Sequence, residues 1–557
     1  MARYLIIGGV AGGATAAARL RRLDEKAEII IFERGGHVSY ANCGLPYYLG
    51  GIIPDRRKLF LQTPMGFKMR LNIDVRTNTE IVRINRAEKI VEARNLATGA
   101  SSRERYDKLL LSPGAEPVKP PIPGIDEEGI FTLRSVADSD RIRRHLTEKK
   151  PAAAVVVGGG FIGLEMAENL KRLGIDVTVV EMTNQVMANL DYEMAAAVHS
   201  HLLDKGVALL LNDGVASFVK KNDTIAVRLA SGRELAAGIV ILSIGVRPDA
   251  SLAKNAGLAI GERGGISVNE YLQTSDPDIY AVGDAIEFAH PVTNQATITY
   301  LAGPANKQGR IAADNIVSGN TRTYSGTPAT SVVRVFDLTV ASTGASEKML
   351  GARGIPFHAS ITHTDSHAAY YPGSALISMK ILFAPDTGLL LGAQITGYDG
   401  VDKRIDVLSA ILGRKGTIHD LLEFDQAYAP PYSSAKDPVN IAGFVADNIL
   451  SGLVKNIHWH EISGLDPAKT IVLDVRTAGE HRDGAIEGSV NIPVDELRDN
   501  LPSIPRDKRV VIYCAVGQRG YVASRILEQN GYTDVYNLSG GYTTYSLARQ
   551  KFPGRNP

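Results

Sequence analysis

Cysteine is nearly missing from this chain of 557 residues: Cys43 and Cys514 are the only two, and they stand far apart. A disulfide-stapled extracellular fold is thereby excluded, as is any zinc or iron–sulfur site built from several thiolates. No metal is expected, and so few cysteines suit the cytoplasm. Charge imbalance is missing as well. Sixty-one Lys and Arg stand against 60 Asp and Glu, a net charge of +1, which removes the electrostatic motive for binding nucleic acid. Long hydrophobic runs are absent too: outside the N-terminal segment the longest, Ala152 to Leu164, carries four glycines and falls short of the ~20 residues a membrane span needs. The apolar stretch Tyr4 to Ala18 has glycine pairs where a strand meets a helix, so it reads as fold rather than as a targeting segment. What remains is ordinary globular composition, 44% apolar and 22% charged, over a length that suits about three to five domains.

Glycine, by contrast, is plentiful and clustered. Tyr4-Leu-Ile-Ile-Gly8-Gly-Val10-Ala11-Gly-Gly13 is a short apolar strand entering a glycine turn, followed by a helix over Ala14–Arg22 and a strand Glu28–Phe32 closed by Glu33 and Arg34. Such a βαβ unit lets a pyrophosphate approach a helix N-terminus, and Glu33 is placed to accept a ribose hydroxyl. Val10 takes the middle glycine slot. A second copy is complete: strand Ala152–Val157, Gly158-x-Gly160-Phe161-Ile162-Gly163, helix Leu164–Leu173, and strand Asp176–Val180 closed by Glu181. Glu181 would bond a ribose 2′-hydroxyl and repel a 2′-phosphate, and no arginine follows in Met182-Thr183-Asn184, so NADH is favoured over NADPH.

Leu109-Leu-Leu-Ser112-Pro-Gly114-Ala115 and Val240-Ile-Leu-Ser-Ile-Gly245 are strands ending in small residues, suited to crossovers between two nucleotide domains. Asp278-Ile-Tyr-Ala-Val-Gly283-Asp284-Ala285 is a further buried strand. With these segments, residues 1 to about 445 resemble the flavoprotein disulfide reductases with two dinucleotide-binding domains. The resemblance implies an α/β fold with two Rossmann-like domains, FAD-binding over 1–115 and 246–322 and NADH-binding over 116–245. It also implies an α+β interface domain over 323–454 that makes a homodimer, Asp284 on the ribityl chain of FAD, and a helix starting near Ala302-Gly303-Pro304 whose positive end faces the flavin.

Ser39-Tyr-Ala-Asn42-Cys43-Gly44-Leu-Pro46-Tyr-Tyr48 contains the only cysteine before residue 514, so no intradomain disulfide can form. This stretch resembles the single-cysteine branch that includes coenzyme A disulfide reductases, NADH oxidases and peroxidases. A helical segment after Asn42 would place the thiol at a helix N-terminus and lower its pKa. The coenzyme A branch further implies a substrate path along Thr15, Arg19, Arg22, Ser39 and Asn42, with Lys68, Arg70, Asn306 and Lys436 as added candidates, arginine suiting phosphate by its planar fork. It implies that Tyr370 and Tyr428 reach the sulfur site from the partner subunit.

About a hundred residues then follow. Thr470–Arg476, a helix-like Val494–Asn500, Arg509–Tyr513, Arg519–Gln529 and Val535–Leu538 alternate strand and helix, a small parallel α/β domain over 455–557. Tyr513-Cys514-Ala-Val-Gly517-Gln-Arg519-Gly520 sets a cysteine between strand and helix, where backbone N–H groups can stabilise an anion on sulfur. The segment resembles a rhodanese domain, which implies a persulfide on Cys514 with Arg519 stabilising its charge; the six-residue loop favours sulfur over phosphate.

Two sulfur-handling cysteines in one chain indicate NADH-dependent, FAD-dependent reduction of persulfide or polysulfide sulfur, with coenzyme A as thiol carrier and no nucleic-acid or membrane partner. A coenzyme A disulfide reductase, a peroxidase or oxidase cycling Cys43 through sulfenic acid, and a sulfurtransferase or redox sensor are the competing expectations.

Overall fold

The computed structural model describes residues 1–550 and 552. The chain forms two compact units: Met1–Asn184 with Val207–Ala329, and Gln185–Gly206 with the chain from Thr330 onward.

The first unit holds two five-stranded sheets of parallel strands. In one, the order is Ile279–Ala281, Lys108–Leu111, Arg3–Ile7, Glu28–Phe32, Asp74–Arg76. In the other it is Ala208–Leu210, Asp176–Val180, Ala153–Val157, Ile239–Leu242, Ile130–Phe131. Strands buried on both faces are apolar without alternation, as Leu5, Ile6, Val156 and Ile241 show by their complete burial. The first sheet starts at its middle, runs outward, then returns to the other side; the second does the same from Ala153–Val157, with the earlier strand Ile130–Phe131 at its edge. That reversal opens a crevice at the strands' carboxyl ends, where α/β folds bind ligands.

Both glycine turns sit at such a crevice. Gly8 and Gly158 have φ of +93° and +102°, and a Cβ on either would strike the backbone of Ser112 or Ser243 at the exit of the neighbouring strand. The helices begin three residues earlier than the sequence suggests, at Ala11 and Phe161, because the last glycine of each turn is already helical; a Cβ on Gly13 or Gly163 would collide with the carbonyl of Gly8 or Gly158. Between the two sheets the chain crosses as an antiparallel ribbon, Ala115–Pro117 against Val246–Pro248, at the two segments expected to serve as crossovers.

In the second unit, a five-stranded antiparallel sheet runs Ser331–Val335, Leu338–Gly344, Leu390–Gly397, Leu376–Phe383, His358–Asp365. Helices Val401–Gly413 and Pro438–Leu450 pack on it. The last domain is a parallel sheet ordered Asn456–Ile457, Val535–Leu538, Arg509–Tyr513, Thr470–Asp474, Val490–Asn491. The stretch from Lys455, read from sequence as a linker, therefore supplies an edge strand. Val494–Asn500 is not a helix but a run of turns: Glu496, Leu497 and Asn500 each bond the carbonyl three residues back, a spacing that does not propagate an α-helix.

The antiparallel sheet and the parallel domain are joined by polar contacts. Ile361 N–H, on the outermost strand of the antiparallel sheet, donates to Ser539 Oγ at 3.0 Å, and His363 Nε2 meets Thr544 Oγ1 at 2.8 Å. Lys380, fully buried, sits among Asp191, Glu193 and Glu347, and Trp459 Nε1 donates to Glu193 at 3.3 Å.

Candidate active sites

Cys43 lies in a single 3-10 turn, Asn42–Gly44, followed by a five-residue helix Leu45–Leu49. The loop before it is pinned to the first glycine turn, Ser39 N–H donating to Gly9 O at 2.8 Å, and Ser39 adopts a left-handed φ of 47°. Cys43 as a residue is exposed. Contrary to the expected lowering, its pKa is raised, first by desolvation between the walls of the site and then by the carboxylates of Glu165 and Asp284. A short helix offers little dipole, and two nearby carboxylates oppose it.

Glu165 comes from the helix that opens the second glycine turn. Its carboxyl is pushed up to about 7, chiefly by burial, and accepts a hydrogen bond from Tyr47 Oη at 3.2 Å. Tyr47 follows Cys43 by one helical turn, so Cys43, Tyr47 and Glu165 form one group. Neither Tyr47 nor Glu165 was a sequence candidate, and each belongs to a motif that was read for its cysteine or its glycines.

Glu33 and Glu181 do the same thing in the two nucleotide folds. Glu33 accepts from Gly9 N–H at 2.9 Å and Gly35 N–H at 2.8 Å; Glu181 accepts from Gly159 N–H at 2.8 Å and from Thr183. Each carboxylate is thereby held at the rim of its crevice. Two features fit nucleotide cofactors there. Asp284, beside Gly283 with φ +82°, has no hydrogen-bond partner among the described residues and a pKa pushed up to about 6 by desolvation; hydroxyls of a sugar-like chain would satisfy it. Ser243 Oγ is buried without a partner beside Gly158. Ser243 repeats Ser112 in the other half of the chain, and comparing Leu-Ser-Pro-Gly114 with Leu-Ser-Ile-Gly245 would have found it. Gly114 and Gly245 have φ of +79° and +105°, and Gly160, Gly245 and Gly303 would each direct a Cβ into open space. Val10 caps the first helix, Phe161 and Ile162 open the second, and Ala302 opens a third of 17 residues. Arg34, in contrast, is paired with Glu116 and lies 3.5 Å from Asp249, while Ala115 is within the crossover ribbon.

The set expected for coenzyme A divides. Thr15 Oγ1 donates to Asn306 Oδ1 at 2.5 Å, joining two candidates from distant helices. Arg19 is bound to Asp314 at 2.6 Å and Lys68 to Asn72 at 2.8 Å. Arg22, Arg70, Asn42 and Lys436 are exposed, Lys436 in the second unit.

Tyr370 and Tyr428 share a hydrogen bond between their hydroxyls at 3.0 Å, and both rings are exposed, as is Tyr371. Their loops are fixed at the base by Arg404, which is buried and donates to Ser366 O at 2.7 Å and to Asp437 at 2.8 Å. Arg404 has no local sequence signature; only the fold brings it between the two loops.

Cys514, fully buried, ends the strand Arg509–Tyr513, and Gly517 N–H donates to its Sγ at 3.1 Å. Helix Gln518–Gln529 starts there. The chain after Gly540 closes the loop from behind, with Tyr542 N–H on Cys514 O at 2.8 Å and Thr543 N–H on Ala515 O at 3.0 Å. Arg519 is held by Glu480, Nη1 to Oε2 at 2.8 Å and Nη2 to Oε1 at 2.6 Å. Beneath the loop Asp474 pairs with Arg476 at 2.7 Å and His481 at 2.9 Å.

Among the described residues no helix is long and apolar enough to cross a membrane, and no group of side chains could hold a metal ion. Residues 2–309 match the pyridine nucleotide-disulphide oxidoreductase model, 330–438 its dimerisation domain, and 461–548 the rhodanese-like domain. The coenzyme A disulfide reductase of Staphylococcus haemolyticus (strain JCSC1435) is 35% identical over 449 residues, 81% of this chain and 100% of that protein. Reduced Bacillus anthracis CoADR-RHD is 50% identical with a TM-score of 0.96, covering 98% of each chain. The NAD-dependent persulfide reductase from A. fulgidus is 40% identical with a TM-score of 0.91, covering 98% of this chain and 100% of that one.

Proposed function

Because this chain belongs to the pyridine nucleotide-disulphide oxidoreductase family and continues into a rhodanese-like domain, we propose that it uses NADH to reduce persulfide or polysulfide sulfur to hydrogen sulfide. The observation that carries this reading is that its two cysteines occupy two different sulfur sites, Cys43 beside the nucleotide crevices and Cys514 in a loop that donates an N–H to its sulfur. The chain is an oxidoreductase whose family uses FAD and NAD(P)H. Bound FAD would supply a two-electron relay between nicotinamide and Cys43. Gly8, Gly13, Glu33, Ser112, Gly283 and Asp284 would hold it; Gly158, Gly160, Gly163, Ser243 and Glu181 would hold NADH, the carboxylate of Glu181 disfavouring a 2′-phosphate. The domain division 1–115, 116–245, 246–322, 323–454 and 455–557 is part of the proposal, as is a homodimer made by the dimerisation domain.

The Cys43 thiolate attacks a coenzyme A persulfide, or an equivalent sulfane sulfur, at either sulfur of its S–S bond. Attack at the outer sulfur expels coenzyme A and leaves a Cys43 persulfide; attack at the inner one expels hydrosulfide and leaves a mixed disulfide. Two electrons and a proton then return Cys43 to the thiol, so that NADH, a proton and RSSH give NAD⁺, RSH and H₂S. Covalent attachment divides one demanding reduction into easier steps. Thr15, Asn306, Arg22 and Arg70 are proposed along the coenzyme A path, and Tyr370 and Tyr428 as groups donated by the partner subunit. Cys514 would take sulfur from an outside donor and pass it to Cys43 or to coenzyme A.

A coenzyme A disulfide reductase is the second reading, favoured by relatives of that name that match 80–81% of this chain over their whole length. Anaerobic NADH oxidation with sulfide measured in parallel separates the two, comparing coenzyme A persulfide with coenzyme A disulfide on wild type, Cys43→Ser and Cys514→Ala. We expect fast persulfide turnover with stoichiometric sulfide, lost at least a hundredfold in Cys43→Ser. Preference for the disulfide with no sulfide would replace the first reading by the second.

A further inference from the structure

The cationic group that a persulfide-bearing loop would offer to an incoming donor is already engaged in this chain. Both terminal nitrogens of Arg519 are bound by both oxygens of Glu480, at 2.8 and 2.6 Å, the two-pronged geometry that an arginine otherwise offers to a sulfonate or phosphate. Glu480 in turn cannot readily swing away. Its carboxylate takes hydrogen bonds from Thr477 N–H and Thr477 Oγ1, each at 3.0 Å, as part of a capping box on the helix Ala478–Arg482. The other basic side chains near the loop are also matched: Arg476 and His481 both bond Asp474. Toward the Cys514 sulfur the loop turns one backbone N–H and the N-terminus of the 12-residue helix Gln518–Gln529, together with Arg519, whose guanidinium, held by Glu480, also interacts with Cys514. That suits one negative charge, such as the one a persulfide on Cys514 would carry.

We propose that Glu480 makes the Cys514 site selective for sulfur donors with at most one negative charge at the reacting end, thiol persulfides and hydropolysulfides, against dianionic donors such as thiosulfate. The inference rests on the proposed sulfur-accepting role of Cys514. The transfer is Cys514–S⁻ + R–S–S⁻ → Cys514–S–S⁻ + R–S⁻: the donor's S–S bond breaks, a new one forms on Cys514, and the electron pair leaves with the thiolate. With thiosulfate the leaving group is sulfite, and neither case consumes an oxidant or reductant. A dianion must approach Glu480 at close range and finds the Arg519 fork occupied, whereas a thiol persulfide brings a single charge that the loop N–H groups and helix end can share. Glu480 remains ionised across the physiological range, its pKa held down to about 2 by Arg519 and Thr477.

The test uses the full-length, FAD-loaded chain without NADH, with cyanide as acceptor and with thiosulfate and glutathione persulfide as donors. Glu480→Gln keeps the capping geometry, since glutamine serves a capping box as well as glutamate, but deletes the charge. We expect wild type to prefer the persulfide, Glu480→Gln to raise the thiosulfate-to-persulfide ratio of kcat/KM about tenfold, chiefly through the KM for thiosulfate, and Glu480→Asp to keep the wild-type ratio. Equal use of both donors by wild type, or a ratio within about twofold after Glu480→Gln, overturns the inference while the Cys514 role stands. Transfer that survives Cys514→Ala overturns that role, and the inference with it. Should Glu480→Gln fail to fold, the wild-type donor ratio and its rise with ionic strength, expected because salt screens Glu480, decide the matter.

Discussion

At the scale of single residues, desolvation and then nearby charge, rather than helix position, govern the ionisation of Cys43. The sequence pointed to a thiol activated by a helix end; the fold gives that helix only five residues and places Glu165 and Asp284 close enough to hold the thiol up. Removing one carboxylate should therefore ease ionisation. In a Cys514→Ala background, Glu165→Gln is expected to shift the pH midpoint of Cys43 alkylation downward, with an alkylation rate at pH 8 about threefold higher. An unchanged midpoint would show that Glu165 does not act on the thiol. Why Glu165 escaped the sequence reading is plain: a glutamate on an amphipathic helix is ordinarily a solvated charge, and its desolvation arises only where the helix meets Leu45–Leu49.

Among elements, the strand His358–Asp365 has the most at stake. It is the last strand of the antiparallel sheet, an edge that proteins ordinarily protect, and here Ser539 and Thr544 cover it. His363 lies at that contact with Nδ1 on Ser378 Oγ at 2.8 Å and Nε2 on Thr544, and burial lowers its pKa to about 4. The folded value is below the unfolded one, ~6.5, so the stability that depends on neutral imidazole is complete above pH 6.5 and is lost as pH falls toward 4. We expect the Tm of wild type to drop more steeply between pH 7 and 4.5 than that of His363→Gln, the difference corresponding to at most about 3 kcal/mol. Parallel curves would remove His363 from the account. The elements themselves were largely legible, because buried parallel strands and glycine turns carry strong local patterns. The failures are instructive: Val494–Asn500 has helix-like residues, but its bonds close three residues back.

For the whole molecule, the rhodanese-like domain is packed against the antiparallel sheet, and the segment before it is part of that packing through Asn456–Ile457 and Trp459. Truncation is consequently a poor probe of function. A chain ended at Val454 should uncover Ile361 N–H and His363, lose the Trp459 bond to Glu193, melt lower by several degrees, and aggregate with rising concentration, whereas Cys514→Ala should do none of these. Calorimetry and light scattering check this; a monodisperse truncated chain with unchanged Tm would show that the edge needs no cover.

The sequence by itself determined the parts whose chemistry is local: two glycine turns with their acidic residues, two isolated cysteines in recognisable surroundings, and the order of domains, because a turn that must admit a phosphate tolerates few residues at fixed spacing. Only the tertiary structure decided what surrounds those parts. That Arg519 is bound by Glu480, that Arg404 ties the two tyrosine loops, that Asp314 occupies Arg19, and that carboxylates face Cys43 all depend on groups distant in sequence. Electrostatic and hydrogen-bond partners are set by distance in space, and no spacing along the chain records it.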